Sequence, residues 1–381
     1  MPAITSLTLS NFRSYYHTTF DLLPNPVALV GANGSGKTNI LEALSFLAPG
    51  RGLRRAKLHV IRNNKNTSYH DWGVRAVVQK LDYKTCISTG YQGSVDNSET
   101  LKIKRIIKID DVLQSNQSSL LDLLNVVWLT PQMERIFSEG ALERRRFIDK
   151  LVHFFDPDHS DRIARFDHFM KQRLQILKTY SINHKISLWL DALEKQLAEL
   201  AIAISDSRSN LINILNTVDK DYMEIFPWLH LQMKGIIEDW LNILPALEVE
   251  EKYMALLAET RIQDKETQTM SIGPHRSDLL VVNKTNSMAA AECSTGEQKV
   301  LLIGLILAYA YAQKTIKGTG PLLLLDEIAA HLDETKKSYL FKILLNIKSQ
   351  FWLTGLTREA FSSIAQDIQF LTISKSVVYQ L

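Results

Sequence analysis

Cysteine is almost missing from this chain. Cys86 and Cys293 are its only two. They lie far apart without metal-site spacing, which excludes a disulfide framework and points to a reducing compartment. A surplus of one charge is missing too: 44 lysines and arginines face 41 aspartates and glutamates, a net charge of +3. No global charge argument for a nucleic-acid partner therefore exists, and such a face has to come from local clusters. Long apolar runs are also scarce. The longest, Val300 to Ala312, is interrupted by Gly304 and two tyrosines, and is short for a membrane span, so it reads as a core helix. Met1 to Thr5 carry neither the basic start nor the apolar stretch of a signal peptide. No internal repeat or low-complexity tract interrupts the sequence. A soluble, cytoplasmic protein with no membrane partner is the expectation.

What is present is ordinary globular material, 45% hydrophobic and 22% charged, with 381 residues. At about 150 residues per domain, two or three domains are expected. The organising stretch is Gly31-Ala32-Asn33-Gly34-Ser35-Gly36-Lys37-Thr38, which fits G-x-x-x-x-G-K-[ST]. Val27 to Val30 reads as a buried strand running into it, and Asn39 to Leu44 continues beyond it with helical spacing. Glycines let the backbone close on phosphates, so that amide N–H groups and a helix N-terminus face the negative charge. Lys37 is placed to reach the β- and γ-phosphates, and the Thr38 hydroxyl to ligate Mg²⁺. ATP and Mg²⁺ are the expected cofactors.

Along the chain, Ile4 to Leu9 alternates as a half-buried strand. Trp72 to Gln79, Lys84 to Ser88 and Leu101 to Ile109 read as antiparallel strands, with Gly90 and Gly93 as turn residues between them. Val126 to Leu129 reads as a buried strand, and Pro131 opens a helical segment at Gln132. Leu190, Leu197, Ile204, Leu211 and Val218 recur every seventh position, with Leu193, Leu200 and Ile214 as a second stripe. The pattern suits either a heptad seam or a long amphipathic helix packed on its own domain. Strand–helix alternation returns after Leu279. The expected fold is α/β: a P-loop core with a parallel-sheet centre and antiparallel β additions, plus an inserted helical lobe. The boundaries are drawn at 1–140 for the first part of the core, 141–262 for the lobe and 263–381 for the second part.

Leu322 to Leu325 runs into Asp326-Glu327, a Walker B pattern in which Asp326 holds Mg²⁺ with Thr38 and Glu327 polarises the attacking water. Ala330-His331-Leu332-Asp333 follows and resembles the D-loop of ATP-binding-cassette (ABC) ATPases. Ser294-Thr295-Gly296-Glu297 opens a helix and resembles the ABC signature, with Cys293 in the Leu place, Thr295 in the first Gly place and Glu297 in the Gln place. It reads either as a second anion site, capping the nucleotide of a second copy in trans, or as a Ser cap on a core helix.

The chain resembles the RecF family, ABC-type recombination-mediator ATPases of bacterial DNA repair related to the structural-maintenance-of-chromosomes proteins. The likeness rests on Asn11-Phe12-Arg13-Ser14-Tyr15, the extended Gly31 to Ala43 motif and Gly50 to Arg54. It continues in Leu142 to Asp149 and in Gly273-Pro274-His275-Arg276-Ser277-Asp278-Leu279. It implies that Arg13 joins the ATP-binding set and that Gln132 senses the γ-phosphate and Mg²⁺. It also implies an ATP-driven homodimer acting as a clamp on double-stranded DNA and single/double-strand junctions. Such a clamp works with RecO and RecR, and indirectly RecA, in replication, repair and the SOS response. No histidine follows the strand ending at Thr354, which suggests slow hydrolysis. Arg51, Arg54, Arg55 and Lys57 form one basic cluster, Arg144, Arg145 and Arg146 a second, and Lys102, Lys104, Arg105 and Lys108 a third. Each reads as a DNA-contacting face or as a solvated, ion-paired one. Two other readings compete: the ATPase subunit of an ABC transporter, and a chromosome-structural ATPase with a scaffold arm. The helical lobe disfavours the first and the short heptad run the second.

Overall fold

Val27–Val30, Val126–Leu129 and Leu322–Leu325 are buried at every position, as strands covered on both faces must be. In the computed structural model, which describes residues 2–63, 71–81, 83–92, 105–218, 226–330 and 332–380, these strands share one sheet. Its order is Val377–Gln380, Gln369–Ser374, Val27–Val30, Phe351–Gly355, Leu322–Leu325, Val126–Leu129. All neighbours are parallel except the Val377–Gln380 edge, which pairs antiparallel with Gln369–Ser374. That C-terminal hairpin is absent from the sequence reading.

A second, antiparallel sheet runs Tyr15–Asp21, Ala3–Phe12, Trp72–Lys80, Tyr83–Tyr91, Arg105–Ile109, Val112–Leu113. The expected turn at Gly90 is corrected here: Gly90 lies inside Tyr83–Tyr91, opposite Gly73. A Cβ there would sit 2.5 Å from the Trp72 carbonyl oxygen, so glycine serves close strand approach rather than a turn. Gly93, Lys102 and Lys104 lie outside the described residues. Phe12, Phe46 and Trp72 form a ring cluster with centroids 5.1–6.1 Å apart, Phe12 meeting both partners edge-on and Phe46 tilted against Trp72. It joins the second sheet to the end of the helix Lys37–Ser45.

The chain divides into two compact units, one of Met1–Met133 with Ile306–Leu381, the other Glu134–Leu305. The segment 141–262 lies inside the second unit, together with 134–140 and 263–305. The division falls within the helix Thr295–Lys317. By length and composition alone that helix could cross a membrane, yet 67% of its apolar window is buried in the protein.

The second unit carries the helices Ala141–Phe155, His159–Thr179, His184–Asn216, Ile236–Leu241, Ala246–Glu259 and Arg261–Thr267. It also holds a small sheet of Leu229–Lys234, Asp278–Asn283 and Met288–Ala289. The heptad stripe lies on His184–Asn216 and is spent within the chain. Leu197, Leu200 and Ile204 pack with Phe166, Val249, Tyr253 and Leu257 in one core. Farther along, Leu211 of the stripe stays buried, but Ile212 and Leu215 join it in place of Ile214, and Val218 lies beyond the helix end. A straight helix of 3.6 residues per turn drifts off a seven-residue repeat in this way. Arg173 is fully buried, bonded to Glu194 at 2.8 Å, Asp264 at 2.7 Å and the Leu257 carbonyl at 2.7 Å.

Candidate functional site

The glycine-rich loop leaves the buried strand Val27–Val30 and ends on the helix Lys37–Ser45. Gly31, Gly34 and Gly36 have φ of 155°, 75° and 116°, a region open to glycine at little cost. Space also requires two of them. A Cβ on Gly31 would lie 2.2 Å from the Ile373 carbonyl oxygen, and one on Gly36 2.6 Å from the Tyr15 hydroxyl. Tyr15 donates to the Gly36 carbonyl at 3.2 Å, and burial pushes its phenol pKa up, so it remains a donor. Lys37 is 6% exposed and folds back over the loop, donating to the carbonyls of Gly31 and Ala32. Burial pushes its pKa below the ordinary value, against the pull of the Glu327 and Asp326 carboxylates. The Ser35 hydroxyl is buried with no hydrogen-bond partner among the described residues, a donor left open in a loop whose form suits phosphate. Ala32, Asn33 and Gly34 form the loop's outer turn, and Asn33 and Gly34 are exposed.

Parallel pairing brings the Walker B carboxylates to this loop. Thr38 donates to the Asp326 carboxylate, its Oγ1 lying 3.2 and 3.1 Å from the two oxygens. Thr354, at the end of the neighbouring strand, donates to Asp326 Oδ1 at 2.8 Å and accepts from the Glu327 amide at 2.8 Å. Glu327 is exposed, with φ of 52°, a left-handed backbone that costs a residue with a Cβ of order 1–3 kcal/mol. Gln132 is exposed in the short turn Pro131–Arg135, just past the strand Val126–Leu129 that pairs with Leu322–Leu325. Thr354 is the member of this group that the sequence reading passes over. Its only signal is position, at the carboxyl end of a strand beside Asp326.

Arg13 and Arg54 converge on one side chain. Glu42, fully buried on the loop's helix, accepts from Arg13 Nε at 2.8 Å and Nη2 at 2.6 Å. It also accepts from Arg54 Nη1 at 3.0 Å. Arg54 reaches Asn39 Oδ1 at 2.9 Å as well. Glu42 and Thr38 are four residues apart on one helix, so they share a face. An arginine read as a nucleotide ligand and another read as a DNA ligand are thus tied to the same buried carboxylate.

Ser294, Thr295, Gly296 and Glu297 are exposed at the start of Thr295–Lys317. Ser294 and Glu297 form a reciprocal capping box. The Glu297 carboxylate accepts from the Ser294 amide at 2.8 Å and from its hydroxyl at 2.7 Å. These bonds hold its carboxyl below the usual range. Behind the cap, Gln298 donates to the Cys293 carbonyl at 2.9 Å, and Lys299 pairs with Glu134 at 2.8 Å. Asp333 caps the helix Glu334–Ile347, accepting from the Lys336 amide and ammonium at 2.8 and 2.7 Å. Those bonds lower its pKa. His331 lies outside the described residues.

The basic clusters divide by environment. Arg51, Arg54, Arg55 and Lys57 are exposed on the first unit. Arg144 instead grips Asp278 with Nε at 2.7 Å and Nη2 at 2.8 Å, and its Nη1 reaches the Phe137 and Glu139 carbonyls. Arg145 donates to the Ser277 carbonyl at 2.6 Å. Asp149, from the same block, accepts from Arg208 at 2.7 and 2.9 Å and bonds His159 at 2.9 Å. The arginine block and the Gly273–Leu279 block therefore brace each other. Arg105 turns inward, donating to the carbonyls of Phe46, Ala48 and Gly50 at the end of the loop's helix. Burial brings its pKa down to about 9. Lys108 is exposed.

Comparison with known proteins agrees with this geometry. A family model described as the RecF/RecN/SMC N-terminal domain matches residues 3–377. The curated "DNA replication and repair protein RecF" of Rhizobium meliloti (strain 1021) is 37% identical over 377 residues, covering 98% of each chain. The solved recombination mediator protein RecF-ATPrS of the RecFOR pathway shares the fold, with a TM-score of 0.84 at 22% identity. The match covers 100% of this chain and 98% of that one. The Smc head domain of Pyrococcus furiosus, bound to the C-terminal domain of ScpA, aligns at a TM-score of 0.55 and 16% identity, covering 100% and 96%. The mixed sheets, glycine loop and paired carboxylates are those of an ABC-type ATPase fold, and the chain belongs to the RecF family.

Proposed function

We propose that this protein is an ATP-dependent DNA-binding ATPase of recombinational repair and replication. ATP closes two copies into a clamp on double-stranded or gapped DNA, and slow hydrolysis reopens it. The observation that carries the reading is the convergence of Lys37, Thr38 and Asp326 at the carboxyl ends of parallel strands. The loop amides and the open Ser35 hydroxyl suit the phosphates. Lys37 leaves the Gly31 and Ala32 carbonyls for the β- and γ-phosphates and exchanges weak acceptors for anionic ones.

The donor set also fits Mg²⁺. Thr38 and Asp326 offer hard oxygen donors, and no cluster of three or more His, Cys, Asp or Glu occurs among the described residues. Mg²⁺ is commonly held by one or two carboxylates plus substrate phosphates rather than a protein cage. When bound there, it supplies neutralisation of phosphate charge. Glu327, exposed and held in a left-handed backbone conformation, orients and activates water, with Thr354 fixing its amide. Gln132 reports the γ-phosphate to the rest of the chain, and Arg13 contributes to nucleotide binding from its seat on Glu42.

The anion site of the second copy is Ser294 with the Thr295 and Gly296 amides, helped by the outward exposure of all three. Asp333 follows Walker B as the D-loop residue of the same arrangement. Arg51, Arg54, Arg55 and Lys57 supply phosphate contacts to DNA. RecO, RecR and, indirectly, RecA are the partners, in the cytoplasm and within the SOS response. The test measures ATP turnover and sedimentation for the wild type and Lys37→Arg with no DNA, duplex and gapped DNA at two salt concentrations. Wild-type dimerisation on ATP, lost in Lys37→Arg, supports the reading. Unchanged dimerisation and turnover in that variant refute it.

A further inference from the structure

The helices His159–Thr179 and His184–Asn216 turn over through residues 180–183, and this tip keeps apolar surface in water. Tyr180 is 46% exposed, Ile182 40%, Leu188 58% and Trp189 51%. The tip has its own small core beneath them, made of Ile176, Leu177, Leu190 and Leu193. The four outer side chains are therefore surplus to its packing, and clustered exposed apolar side chains mark interaction sites. Charge at the tip has one sign along the turn. From Lys178 to Leu190 the chain carries Lys178, His184 and Lys185 and no aspartate or glutamate. Lys265 joins them from Arg261–Thr267, donating to the Tyr180 carbonyl at 3.1 Å. Asp191, the next acid along the helix, is paired with Arg261.

We infer that the hairpin tip docks an acidic, hydrophobic peptide segment of another protein. Its carboxylates meet Lys178 and Lys185, and its apolar side chains cover Leu188 and Trp189. A nucleic acid fits this surface less well. Bases stack on free aromatic faces, whereas Ile182 and Leu188 are aliphatic. The Tyr180 and Trp189 rings already lie against each other, 6.4 Å apart and inclined 47°.

The test uses the full-length protein and a fluorescein-labelled decapeptide alternating aspartate with leucine and phenylalanine, read by fluorescence polarisation. Its controls are the same peptide with asparagine for aspartate and a labelled oligothymidine. Saturable binding of the acidic peptide is expected to weaken with salt. It should fall roughly tenfold or more in Leu188→Asp and Trp189→Asp, as anchor residues do, and remain unchanged in Leu113→Asp, an exposed apolar position elsewhere. Circular dichroism of each variant verifies that the fold persists. No saturable binding, equal binding of the asparagine peptide, or binding indifferent to Leu188→Asp overturns the inference. Oligothymidine binding that is lost in Trp189→Asp overturns it in favour of a nucleic-acid surface.

Discussion

Thr38 and Asp326 stand 288 residues apart in sequence, yet the Thr38 hydroxyl lies 3.1–3.2 Å from both oxygens of the Asp326 carboxylate. Thr354 completes the arrangement by binding Asp326 and the Glu327 amide together. Thr354→Val removes the hydroxyl while nearly keeping the volume. The expected result is a fall in kcat of about ten- to a hundredfold with a smaller change in ATP KM, because a positioning bond is lost. Steady-state kinetics with ATP decides it; a raised KM with intact kcat contradicts the role.

On the proposed reading, Lys37 is expected to link ATP affinity to pH. In the free protein burial lowers its pKa from 10.5, and bound phosphates favour the ammonium and raise it. Affinity is therefore full below the free-state pKa and declines as pH rises through it, starting below the ordinary lysine range. Titration of nucleotide binding by fluorescence from pH 7 upward checks the direction. An affinity that holds constant until the ordinary lysine value rules the linkage out.

On the proposed mechanism, Glu297 is a competitor of phosphate for Ser294. Its carboxylate occupies the Ser294 amide and hydroxyl, so a nucleotide bound there has to displace it. Glu297→Gln weakens that competitor, and ATP-driven dimerisation is expected at roughly two- to tenfold lower ATP concentration. Because the carboxyl pKa is depressed in the fold, the cap contributes above the unfolded glutamate pKa and is lost as pH falls through the folded one. Sedimentation across an ATP series reads the first effect; a dimer that needs more ATP than the wild type contradicts it.

The arginine clusters predict opposite phenotypes. Arg51→Ala should weaken DNA binding and reduce the salt slope by about 1, the signature of one lost phosphate contact. Arg144→Ala leaves Asp278 without its bidentate partner, and should cost the second unit roughly 1–3 kcal/mol with no change of salt slope. Anisotropy on duplex DNA at graded salt and chemical denaturation separate the two. Equal salt slopes for Arg51→Ala and the wild type defeat the first half.

The parallel centre of the fold was legible because Val27–Val30, Val126–Leu129 and Leu322–Leu325 are apolar at every position. The loop and the Asp326-Glu327 pair were legible because phosphate and metal chemistry allow few residue types at fixed spacing. Two kinds of information were not. Gly90 looked like a turn because cross-strand crowding against Trp72 has no local sequence signal. The fates of Arg13, Arg105 and Arg144 were hidden because partners such as Glu42, the Phe46 carbonyl and Asp278 are set by long-range packing. Thr354 was invisible for the same reason: its role comes from lying beside Leu322–Leu325, whose strand register only the sheet defines.

On the proposed mechanism, each triphosphate is held by Lys37 of one copy and Ser294 of another. Mixing Lys37→Arg with Ser294→Arg tests it most directly, because a mixed dimer has one composite site with both groups intact. Neither variant alone is expected to hydrolyse ATP. The mixture should recover turnover, from about a quarter of the wild type's when pairing is random to about half when every dimer is mixed. A mixture as inactive as its parts, or a Ser294→Arg variant with full turnover alone, would contradict it.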